Sequence, residues 1–181
     1  LDILDNLKSI ARKEALASVS LTTVDIAATS TTSRWIDSLV IRLADREGVA
    51  VPNTNQGPRK QGKIAGGYVH EVDPGVEPWV VVLDFKSMYP SIMISNNICS
   101  TTLVKDDSED ETHSVSPTTS TRYISKEERL GLVPQLLDGL MQSRDSHKAA
   151  LAKANEEGDE EAAFLQDQLQ YAVKILMNSF Y

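Results

Sequence analysis

The stretch that most constrains this chain is Trp79-Val80-Val81-Val82-Leu83-Asp84-Phe85. It is apolar and β-branched without alternation, the pattern of a central strand covered on both faces. A carboxylate at the end of such a strand is costly unless it is paired, hydrogen-bonded or bound to a metal. Pro90 then fits the first turn of a helix running to about Asn97. The free N–H groups at that helix start favour an anion. A cation on Asp84 with a phosphate beside it satisfies both halves, and from this segment alone a capping or salt-bridged aspartate satisfies the first equally well.

The C-terminal third predicts two long helices. Pro134 opens one through Leu136, Leu137, Leu140 and Met141 to Ala154, after a capping-box spacing at Ser125 and Glu128. Asn155 to Gly158 is a turn, and Asp159 to Asn178 carries the stripe Phe164, Leu165, Leu169, Val173 and Leu176. So short a connection predicts an antiparallel hairpin. Arg144 and Lys148 share one face of the first helix, and Lys174 and Asn178 share one face of the second. Arg144 beside Lys148 is mildly repulsive, so the pair is no stabilising device. Arg supplies a planar fork and Lys a point charge for terminal phosphate oxygens. A solvated surface is the plainer alternative for these cations.

Upstream, Leu4, Leu7, Ile10 and Ala11 are spaced for one face of a helix. A Ser/Thr-rich connection from Ser18 to Ser33 leads to a segment in which Trp35, Leu39, Ile41 and Leu43 seek burial. Residues 53–67 read as a turn-rich loop carrying Arg59, Lys60 and Lys63, residues 68–71 as a short strand, and Lys105 to Thr121 as a solvated loop. Trp35 and Trp79 read as core anchors, Cys99 as a small buried hydrophobe and His147 as solvent-facing. Lys86 reads either as facing a substrate or, the plainer expectation, as an exposed lysine beside an acidic site.

The 181 residues hold 26 acidic and 18 basic side chains, a formal charge of −8. At face value this argues against a non-specific nucleic-acid coat. The acidity is local, however: residues 106–111 and 156–161 each hold five acidic groups and no basic one. Setting those ten aside leaves 16 acidic against 18 basic residues. One cysteine and three histidines exclude an internal disulfide and argue against a Cys- or His-based metal cluster. No 18-residue apolar run predicts a membrane span. Leu1 follows no initiator Met or charged leader, so the expectation is a piece of a longer intracellular protein, in the cytoplasm or nucleoid if prokaryotic.

Asp84-Phe85-Lys86-Ser87-Met88-Tyr89-Pro90-Ser91-Ile92 resembles motif A of family B (alpha-like) DNA polymerases, D-x-x-S-L-Y-P-S-I. Lys174 to Tyr181 (KILMNSFY) resembles motif B of the same family, K-x-x-x-N-S-x-Y-G, without the final Gly. Gly66-Gly67-Tyr68 is similar to the family's Y-x-G-G linker, with Ile64 in place of the Tyr. Gly131 to Pro134, followed by Arg144 and Lys148, is similar to the start of the fingers in archaeal members.

The resemblance implies an α+β fold. Residues 1–52 would end the exonuclease domain, 53–67 form a linker, 68–124 begin the palm on central β-strands, and 125–181 make the fingers hairpin. It also implies roles. Asp84 would be the catalytic carboxylate, binding two magnesium ions together with the Phe85 carbonyl and with a downstream aspartate of a D-T-D motif not found in these residues. Ser87 and Met88 would offer backbone donors to a deoxynucleoside triphosphate, while Arg144, Lys148 and the catalytic Lys174 close on it. Tyr89 would be the steric gate against a ribose 2′-OH, with Asn178 and Tyr181 packed near it. Gly66, Gly67 and Tyr68 would lie along primer–template DNA, and absent segments would meet a sliding clamp. The implied reaction is two-metal nucleotidyl transfer to a primer 3′-end, with the isolated fragment inactive. The alternatives are a silent polymerase-like subunit acting as scaffold, and a nucleotide-binding module that acts alone.

Overall fold

A computed structural model describes residues 7–51, 66–105 and 112–180. Leu4, the linker residues up to Ala65, the acidic run 106–111 and Tyr181 lie outside the described residues. Helices dominate. In chain order they are α1 (Ser9–Ser20), α2 (Val24–Thr29), α3 (Thr32–Arg46) and α4 (Met88–Ser95), then α5 (Leu132–Glu157) and α6 (Glu160–Asn178). Between α4 and α5, β1 (Ser114–Val115) pairs antiparallel with β2 (Arg122–Tyr123), Ser114 opposite Tyr123.

The hairpin α5–α6 forms as expected. Gly158 takes the left-handed conformation at φ 72°, and the N–H groups of Gly158 and Asp159 turn back onto Asn155 and Ala154. The Asp159 carboxylate then accepts from Ala162 N at 3.0 Å to start α6. Leu137 on α5 and Val173 and Leu176 on α6 are wholly buried. Truncating Leu137 to Ala would cost about 2–5 kcal/mol. Of the expected stripe of α6, Leu169, Val173 and Leu176 pack into the core, whereas Phe164 and Leu165 face outward and Gln168, Ala172 and Met177 are buried instead.

α1 packs on α6, and the N-terminal helices share one core with the hairpin through Leu16, Trp35, Leu39, Leu140 and Val173. Cations of α1 seat on aromatic faces at its margin: Arg12 lies 4.9 Å from the Tyr171 ring and Lys13 lies 5.6 Å from Trp35. The predicted face of α1 is wrong, however. Leu7 and Ile10 are exposed, and burial falls on Ala15, Leu16 and Ala17, whose small side chains admit close approach. The Ser/Thr-rich connection also holds a helix, α2, because Thr23 Oγ1 accepts from Ile26 N.

Ser125 does accept from Glu128 N, as a capping box requires, yet residues 126–128 form a turn and not a helix start. Likewise, part of the solvated loop before Thr121 is the strand β1.

The larger correction concerns residues 68–85. They run without assigned strand or helix, and neither the expected strand at 68–71 nor the buried strand ending at Asp84 forms. Trp79 is 91% exposed and Leu83 89%. A strand needs neighbours for its N–H and C=O groups and cover for its faces. Among the described residues no second strand lies beside this segment. The observed fold is therefore α-rich with one small sheet, and the expected central strands do not form among the described residues.

Candidate nucleotide site

The site begins where the extended segment turns into α4. Asp84 is exposed at the end of that segment, and Phe85 is exposed beside it. Ser87 takes φ 50°, a left-handed conformation that L-residues other than Asn and Asp enter at a cost of about 1–2 kcal/mol. The turn is held by Ser91, whose N–H reaches Ser87 O at 2.9 Å and whose hydroxyl reaches Lys86 O at 3.2 Å. Pro90 sits buried in the first turn of α4, where its missing N–H is no loss. Met88 and Tyr89, on the same turn, are partly open to solvent.

The next link crosses the chain. Lys86 Nζ lies 3.1 Å from Asp145 Oδ2 and 3.4 Å from Oδ1, tying the turn after Asp84 to the middle of α5. Asp145 follows Arg144 directly and precedes Lys148 by three residues. Arg144 is half-buried, and its Nε is shielded from solvent with no hydrogen-bond partner among the described residues. Lys148 is exposed, and on the neighbouring helix Lys174 and Asn178 are exposed too. The structure thus brings the Asp84 turn to the Arg144–Lys148 stretch, and the hairpin sets α6 alongside.

Other expectations are placed differently. Among the residues implied to touch DNA, Tyr68 stands 89% exposed, its ring 6.3 Å from that of His70, and a Cβ added at Gly66 or Gly67 would meet nothing within 4 Å. Packing within the chain therefore does not explain these two glycines. His147 is not solvent-facing: its Nδ1 lies 2.7 Å from Gln166 Oε1, joining α5 to α6. Trp79 is no core anchor, whereas Trp35 is buried at 6% exposure.

Two features were not found from the sequence. One is Asp145, whose signal was an acid set among bases on a helix face. The other is Asn97, 1% exposed and left-handed at φ 53°. Its Nδ2 donates to Ile124 O and Arg129 O, both at 2.9 Å, and its Oδ1 accepts from Gly131 N at 2.8 Å. This hub fixes the end of α4 against the start of α5. Cys99 lies beside it, buried as expected. Burial pushes the Cys99 thiol up, but hydrogen bonds from Thr101, the Val133 backbone and Ser100 together bring it below its ordinary value.

Magnesium is the cation the family resemblance implies. Asp84 offers one exposed carboxylate, and among the described residues no group of three or more acidic, His or Cys side chains is placed to hold an ion. One carboxylate does not make a site for two divalent ions. The described residues therefore do not by themselves make a site for that cation pair.

The exposed Asp84 thus stands beside a left-handed turn that Lys86 ties to α5 next to Arg144. Residues 22–181 match DNA polymerase family B, and the chain belongs to that family. It is 33% identical over 155 residues to a DNA polymerase of Thermococcus sp. (strain 9oN-7), an overlap of 84% of this chain and 19% of that protein. It is 31% identical to the DNA polymerase delta catalytic subunit of Glycine max, across 99% of this chain and 17% of that one. A solved family B DNA polymerase from the archaeon Pyrobaculum calidifontis superposes with a TM-score of 0.74 at 27% identity, over 99% of this chain and 23% of that chain. The chain thus spans about a fifth of the length of the relatives it matches.

Proposed function

We propose that this chain is part of a template-directed DNA polymerase, carrying one catalytic aspartate and the nucleotide-binding part of the fingers. The observation that supports this most is the 3.1 Å contact between Lys86 and Asp145. It joins the motif A turn to the α5 stretch that carries Arg144 and Lys148, 59 residues along the chain, as binding a single triphosphate requires.

In this reading residues 1–52 close the exonuclease domain, 53–67 are linker, 68–124 begin the palm and 125–181 are the fingers. The backbone N–H groups of Ser87 and Met88, at the positive end of α4, meet the phosphates. Arg144, its Nε unpartnered among the described residues, Lys148 and Lys174 bind the β- and γ-oxygens and orient the α-phosphate for in-line attack by a primer 3′-hydroxyl. Closing α5 and α6 over the triphosphate excludes water. Tyr89 lies under the sugar, with Asn178 and Tyr181 beside it.

Asp84, with the Phe85 carbonyl, contributes ligands to a magnesium pair that further carboxylates of the longer protein complete. When bound, such ions lower the pKa of the attacking hydroxyl and stabilise the departing pyrophosphate. Gly66, Gly67 and Tyr68 lie along the primer–template, and a sliding clamp binds elsewhere in the longer protein. The isolated 181-residue chain does not polymerise. The protein works inside the cell, in the cytoplasm or nucleoid if its source is prokaryotic.

Primer extension by the longer protein tests the reading. Asp84→Ala abolishes extension and leaves DNA binding intact; undiminished extension by that variant would remove Asp84 from the chemistry.

A further inference from the structure

We propose that Lys86 and Asp145 form a charge-compensating bridge that sets the affinity of Arg144 and Lys148 for the incoming triphosphate. The inference rests on the nucleotide-site reading above and adds two positioning residues to it.

Both carboxylate oxygens of Asp145 lie within 3.4 Å of Lys86 Nζ, yet the two side chains remain 70% and 54% exposed. An exposed pair of this kind contributes about 0.2–1 kcal/mol to stability, so stabilising the fold is a poor account of it. Its location gives a better one. Asp145 is the immediate neighbour of Arg144 and lies at i,i+3 from Lys148, where side chains share a helix face. An uncompensated carboxylate there would compete for Lys148 and repel a polyanion arriving at the same cations.

Lys86 compensates that charge from the turn after Asp84. It is held to do so: Ser91 grips its carbonyl, and the left-handed Ser87 fixes the direction of the turn. The same contact sets α5 relative to the backbone that carries Asp84. The bridge therefore acts on nucleotide binding through Arg144 and Lys148, without touching the nucleotide.

Single-nucleotide incorporation by the longer protein reads this out. Lys86→Gln should raise the KM for a deoxynucleoside triphosphate about 3- to 5-fold with kcat changed less than about 2-fold. Asp145→Asn in that background should restore the original KM, and Lys86→Arg should retain it. The effect should shrink as salt rises from about 50 to about 200 mM. An unchanged KM in Lys86→Gln overturns the proposal, as does a rise that Asp145→Asn fails to reverse, which would mean that Lys86 meets the triphosphate itself. Failure of the unsubstituted protein to extend a primer would instead overturn the polymerase reading on which the proposal stands.

Discussion

Asn97 Oδ1 accepts the Gly131 N–H at 2.8 Å, across 34 residues of chain. That bond closes a buried junction in which the Asn97 amide also satisfies two carbonyls between α4 and α5. Asn97→Ala leaves all three backbone groups without this partner and should lower unfolding free energy by about 2–3 kcal/mol in denaturant titration. Asn97→Asp should be worse, because a carboxylate oxygen then faces the carbonyls of Ile124 and Arg129. A midpoint for Asn97→Asp equal to the unsubstituted protein's would refute the junction.

Gly131 is tested separately. A Cβ there would stand 2.8 Å from Cys99 Cβ and 3.1 Å from both Pro134 Cδ and Thr102 Cγ2. These are short, stiff neighbours, so Gly131→Ala should cost about 1–3 kcal/mol by overpacking. Thermal unfolding measures it, and an unshifted Tm would show that α5 is free to slide away.

Tyr89 carries the sugar-discrimination reading. Tyr89→Ala in the longer protein should raise ribonucleotide incorporation relative to deoxyribonucleotide by about 10- to 100-fold, with deoxyribonucleotide extension retained. Alkali-labile sites in the extended product measure the change, and an unaltered ratio would take Tyr89 away from the ribose.

Glu127 provides a pH test. Hydrogen bonds from its own backbone N–H and from the Ser125 hydroxyl hold its carboxyl below the usual value of 4.5. A lowered folded-state pKa adds stability above the unfolded value and loses it as pH falls through the folded one. Glu127→Gln should therefore lower the Tm slightly at about pH 7, and the difference should shrink as pH falls below 4.5 through the folded-state value. A difference that stays the same across that range would assign the loss to something other than ionisation.

Trp79 and Trp35 report on the unpaired segment. With Trp35→Phe, the remaining emission of the 181-residue chain should be red-shifted and fully quenched by acrylamide, since Trp79 is 91% exposed. The same residue in the longer protein should be protected. Equal quenching in both would mean that the apolar run stays uncovered there too.

Much of this molecule was legible because it is local. The hairpin follows from a stripe, a glycine and a capping aspartate within 47 residues, and the motif around Asp84 reads directly from residue types. Position within a motif does not reveal partners, however. Asp145 pairs with Lys86 and Asn97 with Gly131 through the folded chain, and neither pairing leaves a local pattern. The run from Trp79 to Leu83 misled for a related reason. Its composition records the surroundings a segment is suited to, while a strand is defined by what lies beside it.

That exposed run also has a bearing on the order of folding. The helical hairpin closes over short sequence separations and can form early, whereas a central strand gains its partners only through distant ones. A chain in which Asp84 follows such a strand therefore builds its helical hairpin before the Asp84 turn is locked in place. During that interval five solvent-facing apolar residues await a sheet, and Lys86 is the tether that keeps the carboxylate's turn near its destination.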